Sequence, residues 1–420
     1  MIKEGSPRIF YGYIIVAVAL LIQLIAMGAF HTYGVFFKEL QLEFGWSRAT
    51  LSGAHSLLFL LGGFLSIAAG RLSDRFGPRK IMAFCGFSFG SGLLLMSQLN
   101  TVWQLYLFYG VIVGIGMSAM NVVLLSTVVR WFVKKRGIMS GIAKVGTGLG
   151  MLIMPMFASS LIPAVGWRLS YGILGVIALV FIISLAQLLR RDPAQMNLLP
   201  DGEEQTVADV ANLIGSGLAL HEAIHTIRFW LLCAAYMMVI FCTHTIPVHI
   251  TPHAMDLGIS VTRAAGVLST IGGVSVIGRI MMGAASDRMG DKRALIICFV
   301  LMLISLFWLQ LARELWALYL FAVLYGFAHG GFFALISPAV AGLFGTRAHG
   351  VILGIVLFFG TLGGAIGSVL TGYIFDVTQS YRLAFWILTV AITFGLTLIT
   401  ILKTVDVSGN VTGKEVNLGF

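Results

Sequence analysis

The chain has 420 residues, of which 58% are hydrophobic and 10% charged, with a mean hydropathy of +0.96. Soluble domains carry about 25% charged residues, so a soluble enzyme or binding domain is excluded and an all-α polytopic membrane protein is expected. The net charge of +10 needs no nucleic acid to explain it, because the Lys and Arg fall in short segments between apolar runs.

Twelve apolar spans follow in order, at 12–37, 51–69, 80–98, 102–129, 138–163, 169–189, 228–250, 264–284, 294–311, 315–341, 350–375 and 383–402. Each approaches or exceeds the length that crosses a hydrocarbon core. No small-residue cleavage site follows the first span, which reads as a retained helix rather than a signal peptide. That span is apolar apart from Gln23 and a polar patch at His31, Thr32 and Tyr33. Trp46 follows in a loop, placed like an interfacial anchor. Spans two and three are joined by Gly70-Arg71-Leu72-Ser73-Asp74-Arg75-Phe76-Gly77-Pro78-Arg79-Lys80.

Span four carries Asn121 among small residues, a basic loop runs from Arg130 to Arg136, and span five carries Lys144. The long polar interval after Arg190 divides the chain into an N-terminal six-helix bundle (1–190), a cytoplasmic linker (191–227) and a C-terminal six-helix bundle (228–420). His244, His249 and His253 fall at and just beyond the end of span seven, where Pro247 and Pro252 interrupt the helix. No Cys or carboxylate completes a ligand set there, so no metal and no other cofactor is expected. Span eight contains Arg279. Span ten places Tyr325 and His329 one turn apart on one face. Span eleven offers Phe358, Phe359 and Leu362 as cavity lining. Cys85, Cys233, Cys242 and Cys298 lie in apolar runs and read as buried thiols.

Most Lys and Arg, including Arg71, Arg75, Arg79, Lys80 and the Arg130–Arg136 group, fall on one side of the membrane. The positive-inside rule makes that side cytoplasmic, with both termini inside a cell (inner or plasma) membrane. The lipid bilayer is thus the first partner.

The halves repeat. Gly283-Ala284-Ala285-Ser286-Asp287-Arg288-Met289-Gly290-Asp291-Lys292-Arg293 matches the Gly70–Lys80 loop at an offset of 213 (283 − 70). Two pseudo-symmetric six-helix bundles are the plan of a carrier that alternates access about a central site. A carboxylate at such a loop can cap a neighbouring helix while an adjacent Arg pairs with another end. Asp74, Arg75, Asp287 and Arg288 are therefore the expected conformational latch.

The G-x-L-x-D-R-x-G-x-R-K loop, its degenerate second copy and the six-plus-six arrangement resemble the major facilitator superfamily. Gly34-Val35-Phe36-Phe37, Glu43-Phe44-Gly45-Trp46-Ser47-Arg48, the Trp131–Gly137 entry to span five, and Asp192-Pro193 with Leu199-Pro200-Asp201-Gly202 resemble its monocarboxylate and oxalate/formate branch. The resemblance spans essentially the whole chain. It implies the MFS fold and a carboxylate-binding Arg in span eight.

All 17 acidic residues lie in loops or at helix ends. Arg279 and Lys144, the two cations inside spans, thus have no fixed counter-ion, and unpaired buried charge is strongly disfavoured. An anionic substrate resolves this. Arg279 lies eight residues before Asp287, about 12 Å of helix from the surface; snorkelling is the alternative, weighed against the functional default for such residues. A guanidinium binds a carboxylate bidentately. Lys144 lies at a similar depth and is either a second anchor or a snorkelling side chain. Asn121, Tyr325 and His329 are candidates for orienting the substrate, and Phe359 for walling it, against the alternative that polar groups join helices. By the resemblance, His31 stands where animal monocarboxylate carriers place a proton-linked Lys, and Ser275 where they place an Asp.

The expected function is secondary transport of small organic monocarboxylates, lactate- or pyruvate-like, by proton symport, with a small carboxylate anion and a proton as partners. The alternatives are an exchanger of small dicarboxylates, disfavoured by the absence of Lys or Arg from Val351–Phe375, and a non-transporting sensor of organic acids. No carboxylate pair, nucleophile triad or catalytic residue marks an enzyme. A monomer satisfies these expectations.

Overall fold

The computed structural model describes residues 10–196, 198–202 and 217–402. These residues form helices and short loops, with one isolated antiparallel bridge between Gly217 and Gly345. In chain order they are α1 (Tyr11–His31), α2 (Tyr33–Phe44), α3 (Arg48–Phe76), α4 (Pro78–Met96), α5 (Val102–Leu105), α6 (Gly114–Trp131) and α7 (Arg136–Ala186). After the linker come α8 (Leu220–Ile224), α9 (Ile227–Asp256), α10 (Val261–Met289), α11 (Asp291–Leu311), α12 (Leu315–Phe344), α13 (His349–Thr378) and α14 (Arg382–Ile401).

Ten of the described helices are long and apolar enough to cross a membrane. The longest, α7, breaks at Gly166 (φ 78°, ψ 160°), a conformation that costs a glycine little. It therefore makes two passes, and α4 adds another, giving the twelve expected. A π-helical segment, Tyr106–Val113, links α5 to α6 within one pass. Helices overrun the apolar spans because their polar ends continue beyond hydrocarbon.

The repeat seen in the sequence is also a repeat of backbone. Gly77 (φ 88°, ψ 157°) joins α3 to α4, and Gly290 (φ 88°, ψ 150°) joins α10 to α11. Within the first bundle α1 packs on α7, α4 on α6 and α7, and α3 on α6; within the second α9 packs on α13 and α14, α10 on α12, and α11 on α12 and α14. The bundles meet along α3–α13 and α7–α10.

Glycine makes these crossings close. A Cβ on Gly283 would lie 2.5 Å from the Gly137 carbonyl, and one on Gly350 would lie 2.7 Å from the Gly70 carbonyl. The offset of 213 that relates Gly70 to Gly283 also relates Gly137 to Gly350. One pseudo-twofold contact is therefore used twice. Both crossings sit at the end of the molecule that carries the basic loops, here called the basic end. Towards the opposite end, Gly272 and Gly273 of α10 are exposed, with no neighbour within reach of an added Cβ.

The opposite end has its own clamp. Glu43, just before the end of α2, accepts hydrogen bonds from the Trp167 indole (2.5 Å) and the Arg168 guanidinium (2.7 Å). The Trp167 N–H, with help from Arg168, holds the Glu43 carboxyl below its ordinary value despite some desolvation. All four cysteines are free and buried.

Candidate functional site

Two kinds of polar construction lie inside the apolar frame, one at the basic end and one deeper. At the basic end, Asp74 accepts the backbone N–H groups of Gly350 (3.2 Å) and Val351 (3.1 Å) at the start of α13. Asp287 accepts those of Gly137 (2.6 Å) and Ile138 (2.9 Å) at the start of α7. Each carboxylate crosses to the other bundle and satisfies N–H groups that a helix start leaves unpaired, where the dipole also favours negative charge.

The cations of this construction differ from the expected ones. Asp74 pairs with Arg130 at 2.6 Å, and Arg130 also donates to the Thr346 carbonyl of the other bundle. Arg75 instead points outward, over the Phe76 ring, and Arg288 is exposed. The Arg that follows each Asp in sequence lies about 100° round the helix, so it cannot share the carboxylate's target. Arg136 faces Asp287 and Asp291 electrostatically. The contacts between the bundles at this end are thus Asp74 with Arg130 and Asp287 beside Arg136, so Arg130 and Arg136 stand where Arg75 and Arg288 are expected.

The linker reaches the same end. Asp201 (φ 61°) accepts the backbone N–H groups of Val133, Lys134 and Lys135, and Leu218 N–H donates to the Phe344 carbonyl.

Deeper in, Arg279 is 2% exposed and donates to the Ser275 hydroxyl at 2.7 Å, while its Nε has no partner among the described residues. Lys144 is 5% exposed, donates to the Asn121 side-chain carbonyl at 2.5 Å, and lies 5.9 Å from the centre of the Phe333 ring. A Cβ on Gly148 would come within 3.0 Å of the Arg279 guanidinium. Gly148 is one turn beyond Lys144 on α7, so the two cations share a narrow region where they repel. No carboxylate is hydrogen-bonded or ion-paired to either among the described residues.

Further unpaired polar atoms border this region. His329 Nδ1 is buried with no hydrogen-bond partner, and its ring lies between those of Tyr325 and Phe333. Gln23 accepts from Thr147 at 2.5 Å on the face of α7 adjoining α1, leaving its amide nitrogen without a partner. Gln23 and Ser275 are polar neighbours of this region beyond the sequence candidates. The signal for Gln23 was present as the lone amide of an otherwise apolar span. Two cations and several unsatisfied polar groups thus lie together in a water-poor interior, where each is costly to leave unpaired.

The remaining candidates are dispersed. Tyr325 is fully buried and donates its hydroxyl to the Cys242 carbonyl at 3.2 Å, so it supports the wall beneath His329. Phe359 does not join the group: its ring lies against Trp230, which is 48% exposed near the start of α9. Aromatic residues are too numerous in this chain for one to be placed without its partners. His31 ends α1, donating from Nδ1 to the Met27 carbonyl at 2.6 Å. His249 approaches the Ser368 carbonyl and Tyr381 hydroxyl, and His253 packs edge-on against Phe385, while His244 turns to Phe59. The three therefore diverge.

The two bundles are unequal at the site. The offset of 213 maps Arg279 onto Ser66 of α3. Ser66 donates to the Gly354 carbonyl, the counterpart of Gly141, whose added Cβ would meet the Arg279 carbonyl. The backbone crossing is shared; the guanidinium exists once.

The sequence model described as Major Facilitator Superfamily matches residues 19–284 and 232–418. Monocarboxylate transporter 13 of Rattus norvegicus is 28% identical over 382 residues, covering 89% of this chain and 85% of its own. MFS-type transporter 1 of an Ophiocordyceps species is 28% identical over 347 residues, 80% of this chain and 72% of its own. The crystal structure of the human organic anion transporter MFSD10 superimposes with a TM-score of 0.71 at 17% identity, covering 94% of this chain and all of that one.

Proposed function

The chain belongs to the Major Facilitator Superfamily and is a multi-pass membrane transporter, and on that premise we propose that its cargo is a small organic monocarboxylate carried with a proton. The observation that supports this most is Arg279: a guanidinium 2% exposed, in mid-span, with no acid paired to it among the described residues. A carboxylate would take its free Nε–H and a terminal N–H as a bidentate pair. Lys144 with Asn121, and His329 above Tyr325, would bound the other end of the substrate and select its polar groups.

In this reading the protein sits in a cell membrane with the basic end and both termini on the cytoplasmic side, and the bundles (1–190 and 228–420) rock about the site. The closed Asp74 and Asp287 latches then describe a carrier shut towards the cytoplasm and open towards the outside. Anion binding neutralises the buried cations, lowering the cost of closing a dry site around them. His31, at the outer mouth, takes part in proton uptake.

The test is uptake of labelled lactate and pyruvate into proteoliposomes with and without an inward proton gradient, for wild type and Arg279→Ala. Gradient-driven uptake lost in the variant supports the reading. Uptake indifferent to the gradient removes the coupling, and no uptake of either acid removes the substrate class. Lys144 favours a second reading, exchange of small dicarboxylates, because two cations suit two carboxylates. Oxalate-for-oxalate exchange without a gradient would decide for it.

A further inference from the structure

Four histidines from four helices descend from the opposite end towards Arg279. His55 lies seven residues into α3, His244 twelve from the end of α9, His329 fourteen into α12 and Arg279 eighteen into α10. At 1.5 Å per residue these depths are about 10, 18, 21 and 27 Å. His31, at the end of α1, stands at the top. Phe30 is flanked by the rings of His31 (4.9 Å) and His55 (4.8 Å). One turn below His55 on α3, Phe59 meets His244 at 5.0 Å. Each group is close enough to act electrostatically on the next: His31 on His55 and His244, His244 on His329, and Arg279 on His329.

The surroundings suit a moving proton rather than fixed structure. His31 donates from Nδ1 to a carbonyl, leaving Nε2 to receive. His55 Nδ1 faces the Tyr109 hydroxyl at 3.2 Å, from the π-helical segment, and its ring stacks on Tyr33. Neither Phe59 of α3 nor Gly364 of α13, both against His244, brings a charge. His329 faces Arg279 of α10, His244 of α9, Tyr325 of its own helix and, across Phe333, Lys144 of α7. His249, off this line, lies within reach of partners at both ring nitrogens, whereas His329 Nδ1 has none. No Asp or Glu occupies mid-span to serve instead. Among the described residues these histidines do not converge as metal ligands.

We propose that His31, His55, His244 and His329 form the proton path of this carrier, with His329 the terminal acceptor beside the anion. The proposal rests on the reading of Arg279 as an anion site. His31, whose Nδ1–H stays on the Met27 carbonyl, takes up and releases the proton at Nε2, whereas each later imidazole accepts at one nitrogen and releases from the other, left neutral in its other tautomer. A third positive charge at His329 is opposed by Arg279 and Lys144 until a carboxylate lies between them. Proton and anion therefore favour each other, as reciprocal linkage requires.

Two measurements test this on the full chain in liposomes. In the first, lactate uptake is driven by a proton gradient in wild type, H55Q, H244Q, H329Q and, as control, H249Q. H244Q and H329Q are expected to lose at least tenfold of gradient-driven uptake, with lactate binding at fixed pH within threefold of wild type in H244Q and with H249Q unaffected. Full gradient stimulation in H244Q and H329Q overturns the path. In the second, nitrogen-15 histidine resonances are titrated in wild type, H55Q and H244Q without substrate. Replacing His244 is expected to shift the titrations of both His55 and His329, and H55Q that of His244; unchanged titrations overturn the proposal. The second measurement decides even if lactate is not transported, in which case the cargo reading alone fails. It also decides if H329Q does not fold.

Discussion

Asp74 of the first bundle holds the N-terminus of α13 through Gly350, just as Asp287 of the second holds the N-terminus of α7 through Gly137. The two bonds are related by the sequence offset of 213, but their charge partners are not equivalent. Asp74 also binds Arg130 in a pair whose side chains are 9% and 13% exposed.

Removing the two carboxylates should therefore have unequal effects. Asp287→Ala loses a helix cap, about 1 kcal/mol. Asp74→Ala also leaves Arg130 buried and unpaired, bringing the cost to about 3 kcal/mol. Spin labels at the exposed positions Arg71 and Arg347 should report longer distances in Asp74→Ala than in Asp287→Ala. Equal opening in the two variants would contradict this account of the latch.

Arg279→Met should stabilise the empty protein while abolishing its function. Replacing an uncompensated buried charge with an apolar side chain of similar volume is neutral or stabilising by about 1–4 kcal/mol. The melting temperature without substrate should rise or hold, and the further rise produced by lactate or oxalate should vanish. A lower melting temperature without substrate would mean that Arg279 has a structural counter-charge.

Lys144→Met and Asn121→Ala separate one carboxylate from two. If Lys144 holds a second carboxylate, Lys144→Met weakens oxalate binding more than tenfold and lactate binding less than threefold. Asn121→Ala should follow the same pattern more weakly, since Asn121 orients the ammonium through a 2.5 Å bond. Isothermal titration of both acids on both variants reads this directly. A parallel loss for the two acids would place Lys144 at the first carboxylate.

Glu43 supplies a pH dependence whose sign is fixed. Its carboxyl is held below the ordinary value of 4.5 by Trp167 and Arg168, so the folded state favours the ionised form. That stability is fully present above the unfolded value and is lost as pH falls through the folded one. Wild type should melt above Glu43→Gln at pH 6 and 7, and the gap should close below about pH 4.5. A gap that persisted at pH 3 would show that hydrogen-bond geometry, not ionisation, holds the clamp.

Much of the architecture was legible in one dimension. Apolar runs must match the thickness of lipid, and a duplicated loop retains its Asp and Gly because both copies perform the same capping. Arg279 was legible for the complementary reason, since an uncompensated charge in an apolar run is conspicuous. Partnerships were not legible. Arg75 adjoins Asp74 in sequence yet points away from the target, whereas Arg130, fifty-six residues later, arrives at 2.6 Å. His55 is unremarkable in its own span, and His244, which the sequence groups with His249 and His253, turns instead to Phe59 where α3 meets α9. Phe359 shows the converse, an aromatic placed by pattern whose actual partner, Trp230, lies elsewhere.

The replacement of a guanidinium by Ser66 at the matching position of α3 has a kinetic consequence. Repeated bundles would otherwise make the outward and inward strokes near mirror images, with equal barriers. On the reading of Arg279 as the anion site, the ion is anchored to the second bundle in both strokes, and the first bundle is the one that closes over it or withdraws. On that reading the two strokes are chemically distinct events with unequal barriers, and influx and efflux driven by equal and opposite gradients at saturating substrate would run at different rates.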